Sequence, residues 1–74
     1  MPKYNWTVQR VDQLERAIRD QSRVAVNRRG TEFVVIALRL ASVLQRDAFV
    51  GRHPMTGDEV TFILDELESF QVVQ

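Results

Sequence analysis

The side chains able to do chemistry in this chain are few: His53, the acids Asp65, Glu66 and Glu68, the serines Ser22, Ser42 and Ser69, and a scatter of arginines. A zinc site needs several His or Cys ligands, and His53 stands without a second histidine or any cysteine, directly before Pro54 in a turn-forming stretch. Close carboxylates catalyse when a pocket drives their pKa values apart. The acids at 65–68 instead interrupt two strand-like runs, the composition of a solvated turn. None of the three serines sits in a motif that activates a nucleophile. No catalytic residue, metal or cofactor is assigned, and an enzyme is not expected.

Arg23, Arg28, Arg29, Arg46 and Arg52 are the candidates for a basic binding surface. Arg28 and Arg29 share a hairpin tip, while Arg46 and Arg52 bracket a strand. Folding that gathered Arg28, Arg29, Arg46 and Arg52 would make a phosphate-binding site for nucleic acid or a nucleotide-type ligand. The whole chain supplies no field to help, since ten basic residues balance ten acidic ones. The first 37 residues hold seven bases against four acids and the remainder three against six, a modest internal dipole. Aromatic residues that could stack on bases are thin among these arginines, with Phe49 expected in the core and Tyr4 and Trp6 remote in sequence.

The elements that must position these residues are legible in the apolar pattern. Val11, Leu14 and Ile18, with Ala17 beside them, recur at spacings of three and four and predict a helix over 8–22. Thr7 is its expected N-cap, with Trp6 and Val11 placed as a hydrophobic staple, and Asp12/Arg16, Glu15/Arg19 and Arg16/Asp20 stand at i,i+4 on its polar side. Strands follow at Arg23–Asn27, Thr31–Leu40, Asp47–Gly51, Glu59–Leu64 and Ser69–Val73. Gly30 and Gly57 are the residues expected to take positive φ in their turns, and Pro54 suits a β-turn. Ala41–Gln45 reads as a bend or strand end, Gln45–Asp47 as a turn, and Asp65–Glu68 as a short 3₁₀ turn. The expectation is an α+β fold: one helix, then a five-stranded, strongly bent antiparallel sheet closed into a small barrel of the SH3-like or Sm-like kind. Residues 1–74 form one domain, with an N-terminal segment over 1–7 and the barrel over 23–74.

Phe33 to Leu38 is apolar without alternation, so both faces of that strand need cover. Phe33, Val35 and Ala37, or alternatively Val34, Ile36 and Leu38, must lie under the helix or against another subunit. A domain of 74 residues without cysteine lacks the disulfides by which small domains are commonly stabilised, which leaves oligomerisation. Phe33, Val35 and Ala37 are therefore the expected face for a second copy or a protein partner. No apolar run is long enough to span a bilayer and no signal-peptide pattern is present, so a cytoplasmic protein without membrane contact is expected.

Leu14-Glu15-Arg16-Ala17-Ile18, Arg23-Val24-Ala25-Val26, Phe49-Val50-Gly51 and the run from Gly57 to Phe70 resemble the successive blocks of a WYL domain. That resemblance implies an Sm-like barrel with a leading helix and a regulatory role, in transcription control or phage defence, sensing nucleotide-type or nucleic-acid ligands. Where the family carries its Trp-Tyr-Leu signature this chain has Ala48-Phe49-Val50, without the indole and the phenol hydroxyl, and Glu66 stands where its arginine is expected. The same element order and Asp47-Ala48-Phe49-Val50 also resemble bacterial Sm-like RNA-binding proteins, whose RNA-contacting motif Leu64-Asp65-Glu66 does not reproduce. The expected function is a non-catalytic regulatory binding module for nucleic acid or a nucleotide-type ligand. The alternative is a protein-interaction or homo-oligomerisation module without a small ligand.

Overall fold

The computed structural model describes residues 6–73, so of the segment expected at 1–7 only Trp6 and Thr7 are placed, and Tyr4 lies outside the described residues. Helix α1 spans Val8–Asp20. Thr7 is extended, and its hydroxyl accepts the Arg10 backbone N–H at 3.2 Å, the N-cap that its position in the sequence predicts. The helix ends two residues earlier than expected because Gln21 turns left-handed, at φ 52 and ψ 45. The Gln21 and Ser22 amides then return to the carbonyls of Ile18 and Ala17, satisfying groups that the last turn would leave bare. Of the three predicted pairs on the polar face, Asp12–Arg16 forms at 2.9 Å, while Arg19 lies at 3.7 Å from Asp20 instead of pairing with Glu15.

Five antiparallel strands follow: β1 (Arg23–Arg28), β2 (Thr31–Val43), β3 (Arg46–Arg52), β4 (Glu59–Ile63) and β5 (Leu67–Val73), with a 3₁₀ turn over Leu64–Glu66. Their order across the sheet is β4-β3-β2-β1-β5. Arg29 and Gly30, at φ 52 and φ 78, make the two-residue turn between β1 and β2, whose twist matches that of the strands it joins. β2 runs three residues further than its sequence suggests. Its turn into β3 is Leu44–Gln45, at φ 50 and φ 65, so both central positions are left-handed without a glycine, and Arg46 and Asp47 belong to β3.

The expected closed barrel is not formed. Closure requires a ladder between the first and last strands of the sheet. Among the described residues β4 pairs only with β3 and β5 only with β1, so the sheet is open, with β4 and β5 as its edges. This corrects the Sm-like and SH3-like fold and the WYL-like resemblance built on it. A helix followed by five strands is the element order of an open sheet as much as of a closed one, because closure depends on strand tilt and stagger, which order does not encode.

The core lies between α1 and one face of the sheet. Leu14, Val24, Val26, Val35, Ala37, Phe49, Phe62 and Leu67 are wholly buried there. Phe62 links two other rings, meeting Phe33 edge-to-face with centroids 5.4 Å apart and stacking on Phe49 at 5.2 Å. Gly51, paired with Ala37, has its Cα against Val35, where a Cβ would meet Val35 Cβ at 2.9 Å. That approach, rather than a turn, is what requires glycine. Trp6 packs on Phe70 at 5.3 Å and donates its indole N–H to the Leu64 carbonyl at 2.9 Å, tying the start of the helix to the corner between β4 and β5. Among the described residues no helix is long and apolar enough to cross a membrane.

The face assigned to a partner must also be corrected. Val35 and Ala37 are 0% exposed, covered by this chain's own core, and Phe33 is half-buried beside Phe62. Val35 and Ala37 offer no surface to a second copy. Apolar residues on both faces of β2 left two choices open, and the chain buries the face that carries Val35.

Candidate functional site

The residues with chemical potential are absorbed into the scaffold. His53 is half-buried near Phe33, and its backbone clasps the β3–β4 loop by donating to Asp58 and accepting from Gly57, each at 2.8 Å. Glu68 accepts the Gly30 backbone N–H at 2.8 Å, and Ser69 accepts the Asn27 side-chain amide at 2.8 Å. Asp65 is exposed, while Glu66 faces Arg46 at 3.6 Å, so the acids at 65–68 diverge rather than converge. Among the described residues no group of acids, histidines or cysteines is placed to hold a metal.

The four candidate arginines occupy separate settings. Arg28 stacks its guanidinium over Phe33 and Phe62, at 5.2 and 5.1 Å from the ring centroids, and reaches the Thr61 carbonyl at 3.4 Å. Arg29, its neighbour, projects from the exposed β1–β2 turn. Arg46 and Arg52 stand at opposite ends of β3, about 20 Å apart along the strand. Arg46 is ion-paired with Glu66, while the side chains of Arg29 and Arg52 make no ion pair among the described residues.

A concavity among the described residues lies elsewhere. Gln13, Arg16, Ala17 and Asp20 fall at i, i+3, i+4 and i+7 on α1 and face Phe70, Gln71 and Val72 of β5 across a groove of about 490 Å³. Its floor is apolar, with half-buried Val72 over the nearly covered Ala17 and Phe70, and its rim is polar, with one cation and one anion. Ala17 makes the depth, since a longer side chain at that position would fill the space between helix and strand. The groove runs beside the open edge of β5, where backbone N–H and C=O groups have no strand partner among the described residues. None of the four arginines lines it.

Comparison with protein-family models, curated proteins and solved structures finds no match to this chain. The geometry therefore has to speak for itself. It combines an apolar floor, a polar rim and unpaired main-chain groups along one side, which together suit an extended peptide better than a small reactive substrate. The helix stripe at 13, 16, 17 and 20 was visible in the sequence as the border between the apolar and polar sides of α1. Which strand it would face was not.

Proposed function

We propose that the chain is a non-catalytic protein-interaction module that receives an extended segment as an added strand on β5, in the groove against α1. The open β5 edge carries this reading. Main-chain hydrogen bonds to that edge supply affinity, and alternate side chains of the added strand settle on the Ala17–Phe70–Val72 floor, which supplies selectivity for apolar residues at every second position. The scatter of the arginines and the balanced charge weigh against a phosphate ligand as the main partner.

The test is a titration of the isotope-labelled chain, at low micromolar concentration, with an acetylated and amidated hexapeptide of alternating threonine and valine. Amide shifts are expected on β5 and on the Gln13/Arg16/Asp20 side of α1, with new exchange protection on β5. A single-stranded oligonucleotide at low and physiological salt forms the second arm. No peptide response at millimolar concentration would overturn the reading, and so would salt-sensitive oligonucleotide shifts centred on Arg29 and Arg52, which would move the function to the arginines.

A further inference from the structure

The sheet has two edges, and they are unequally protected. β4 is five residues long, carries Glu59 in an ion pair with Arg39 at 3.0 Å, and has the Arg28 guanidinium laid against its Thr61 carbonyl. Immediately beyond β4, the Trp6 indole takes up the Leu64 carbonyl. A short edge that carries charge and is crossed by side chains of its own domain is one that resists another strand. β5 has none of these devices. It is seven residues long, and Ser69-Phe70-Gln71-Val72-Val73 contains no charge, proline or glycine. The one acid of β5, Glu68, is turned to the Gly30 amide. A long, neutral edge rich in aromatic and β-branched residues is a template for a strand of its own kind.

We infer that the segment received by β5 is the β5 of a second copy of this chain, paired antiparallel about a two-fold axis at Gln71. This rests on the strand-addition reading and names its occupant. The axis sets Phe70 opposite Val72 of the second copy, Ser69 opposite its Val73, and Gln71 opposite itself. Val72 of each copy, half-buried in its own chain, then packs on the groove face beside Phe70, which its own core already covers, and the two Gln71 amides meet on the opposite face, able to hydrogen-bond. Because the strand presents no charge and the groove rim balances Arg16 with Asp20, two copies meet without like-charge excess. The contact is isologous and consumes the open edge, so assembly stops at the dimer, with a continuous sheet of ten strands. Seven residues make an edge of only about 24 Å, which places the interface at or below the small end of the usual size range and predicts dissociation in the micromolar range.

Sedimentation equilibrium from about 1 to 500 μM tests this. The unaltered chain is expected to pass from one to two chains and no further. Gln71 is exposed, so Gln71→Lys and Gln71→Glu should each keep the native circular dichroism. Each places like charges opposite each other at the axis and should weaken dimerisation by about fivefold, whereas an equimolar mixture of the two should recover it. A single-chain mass throughout, growth beyond two chains, unchanged dimerisation of both variants, or a mixture that stays monomeric would overturn the inference. If the chain is monomeric yet the threonine–valine peptide still marks β5, the second copy is refuted and strand addition stands. If neither occurs, both fall.

Discussion

Arg28 and Arg29 are adjacent and chemically identical, yet truncating them should have different consequences. Arg28→Ala removes two cation–π contacts, at 5.2 and 5.1 Å, each worth about 0.5–1 kcal/mol at a site of this exposure. It also uncovers the flank of Phe33 and Phe62 that the arginine stem shields. The hydrogen bond to Thr61 is long, at 3.4 Å, and adds little. The loss is about 1–2 kcal/mol, which for a domain of this size lowers Tm by about 4–16 °C. Arg29→Ala removes an exposed side chain and leaves an alanine at φ 52, so it should change stability by less than about 0.5 kcal/mol. Thermal unfolding followed by circular dichroism compares the two directly, and repetition in 0.5 M salt separates the contributions. A purely ionic role for Arg28 would fade on screening, whereas stacking against the rings persists. Equal Tm values for the two variants would refute the aromatic seat of Arg28 and restore it to the pool of ligand-binding arginines.

Three further outcomes follow from the packing. Gly51→Ala should destabilise by about 1–3 kcal/mol, offset by up to about 1 kcal/mol from a stiffer unfolded chain, because its Cβ meets Val35 at the root of the side chain rather than at a flexible tip; urea midpoints measure this, and an unchanged or higher midpoint would contradict the β2–β3 approach. Val35→Asp puts a carboxylate into a site with no exposure, so the isolated chain should lose its native circular dichroism outright rather than become a folded monomer. Gln45→Gly should stabilise by about 1 kcal/mol, since glycine adopts φ 65 without the steric cost that glutamine bears in a two-residue hairpin turn; a fall in urea midpoint would show that the Gln45 side chain makes a compensating contact.

Local features were legible because their causes are local. The Thr7 cap, the Gly30 and Gly57 conformations, the helix stripe of Leu14 and Ala17, and the approximate place of every strand depend on a residue and its neighbours within a few positions. The errors begin where two local causes balance. Leu44–Gln45 lacks the glycine that marks such a turn, and only the pairing of Val43 with Arg46 across the hairpin holds it, so the length of β2 was set by β3. In the sequence Gly51 is an ordinary strand residue, and only the fold sets Val35 against it.

By itself, the sequence determined one helix, five antiparallel strands, the absence of a local motif for metal or nucleophilic chemistry, and a β2 apolar on both faces. Tertiary structure alone decided which face of β2 is buried, because either choice satisfies alternation and only the position of α1 breaks the tie. It also decided that the sheet stays open and that Arg28 is held over the Phe33 and Phe62 rings while Arg29 is left in solvent. These are long-range outcomes. Edge-to-edge closure, and the meeting of Arg28 with Phe62 or of Ala17 with Phe70, depend on strand tilt and on contacts between residues more than thirty positions apart, for which no short stretch of sequence carries a signal.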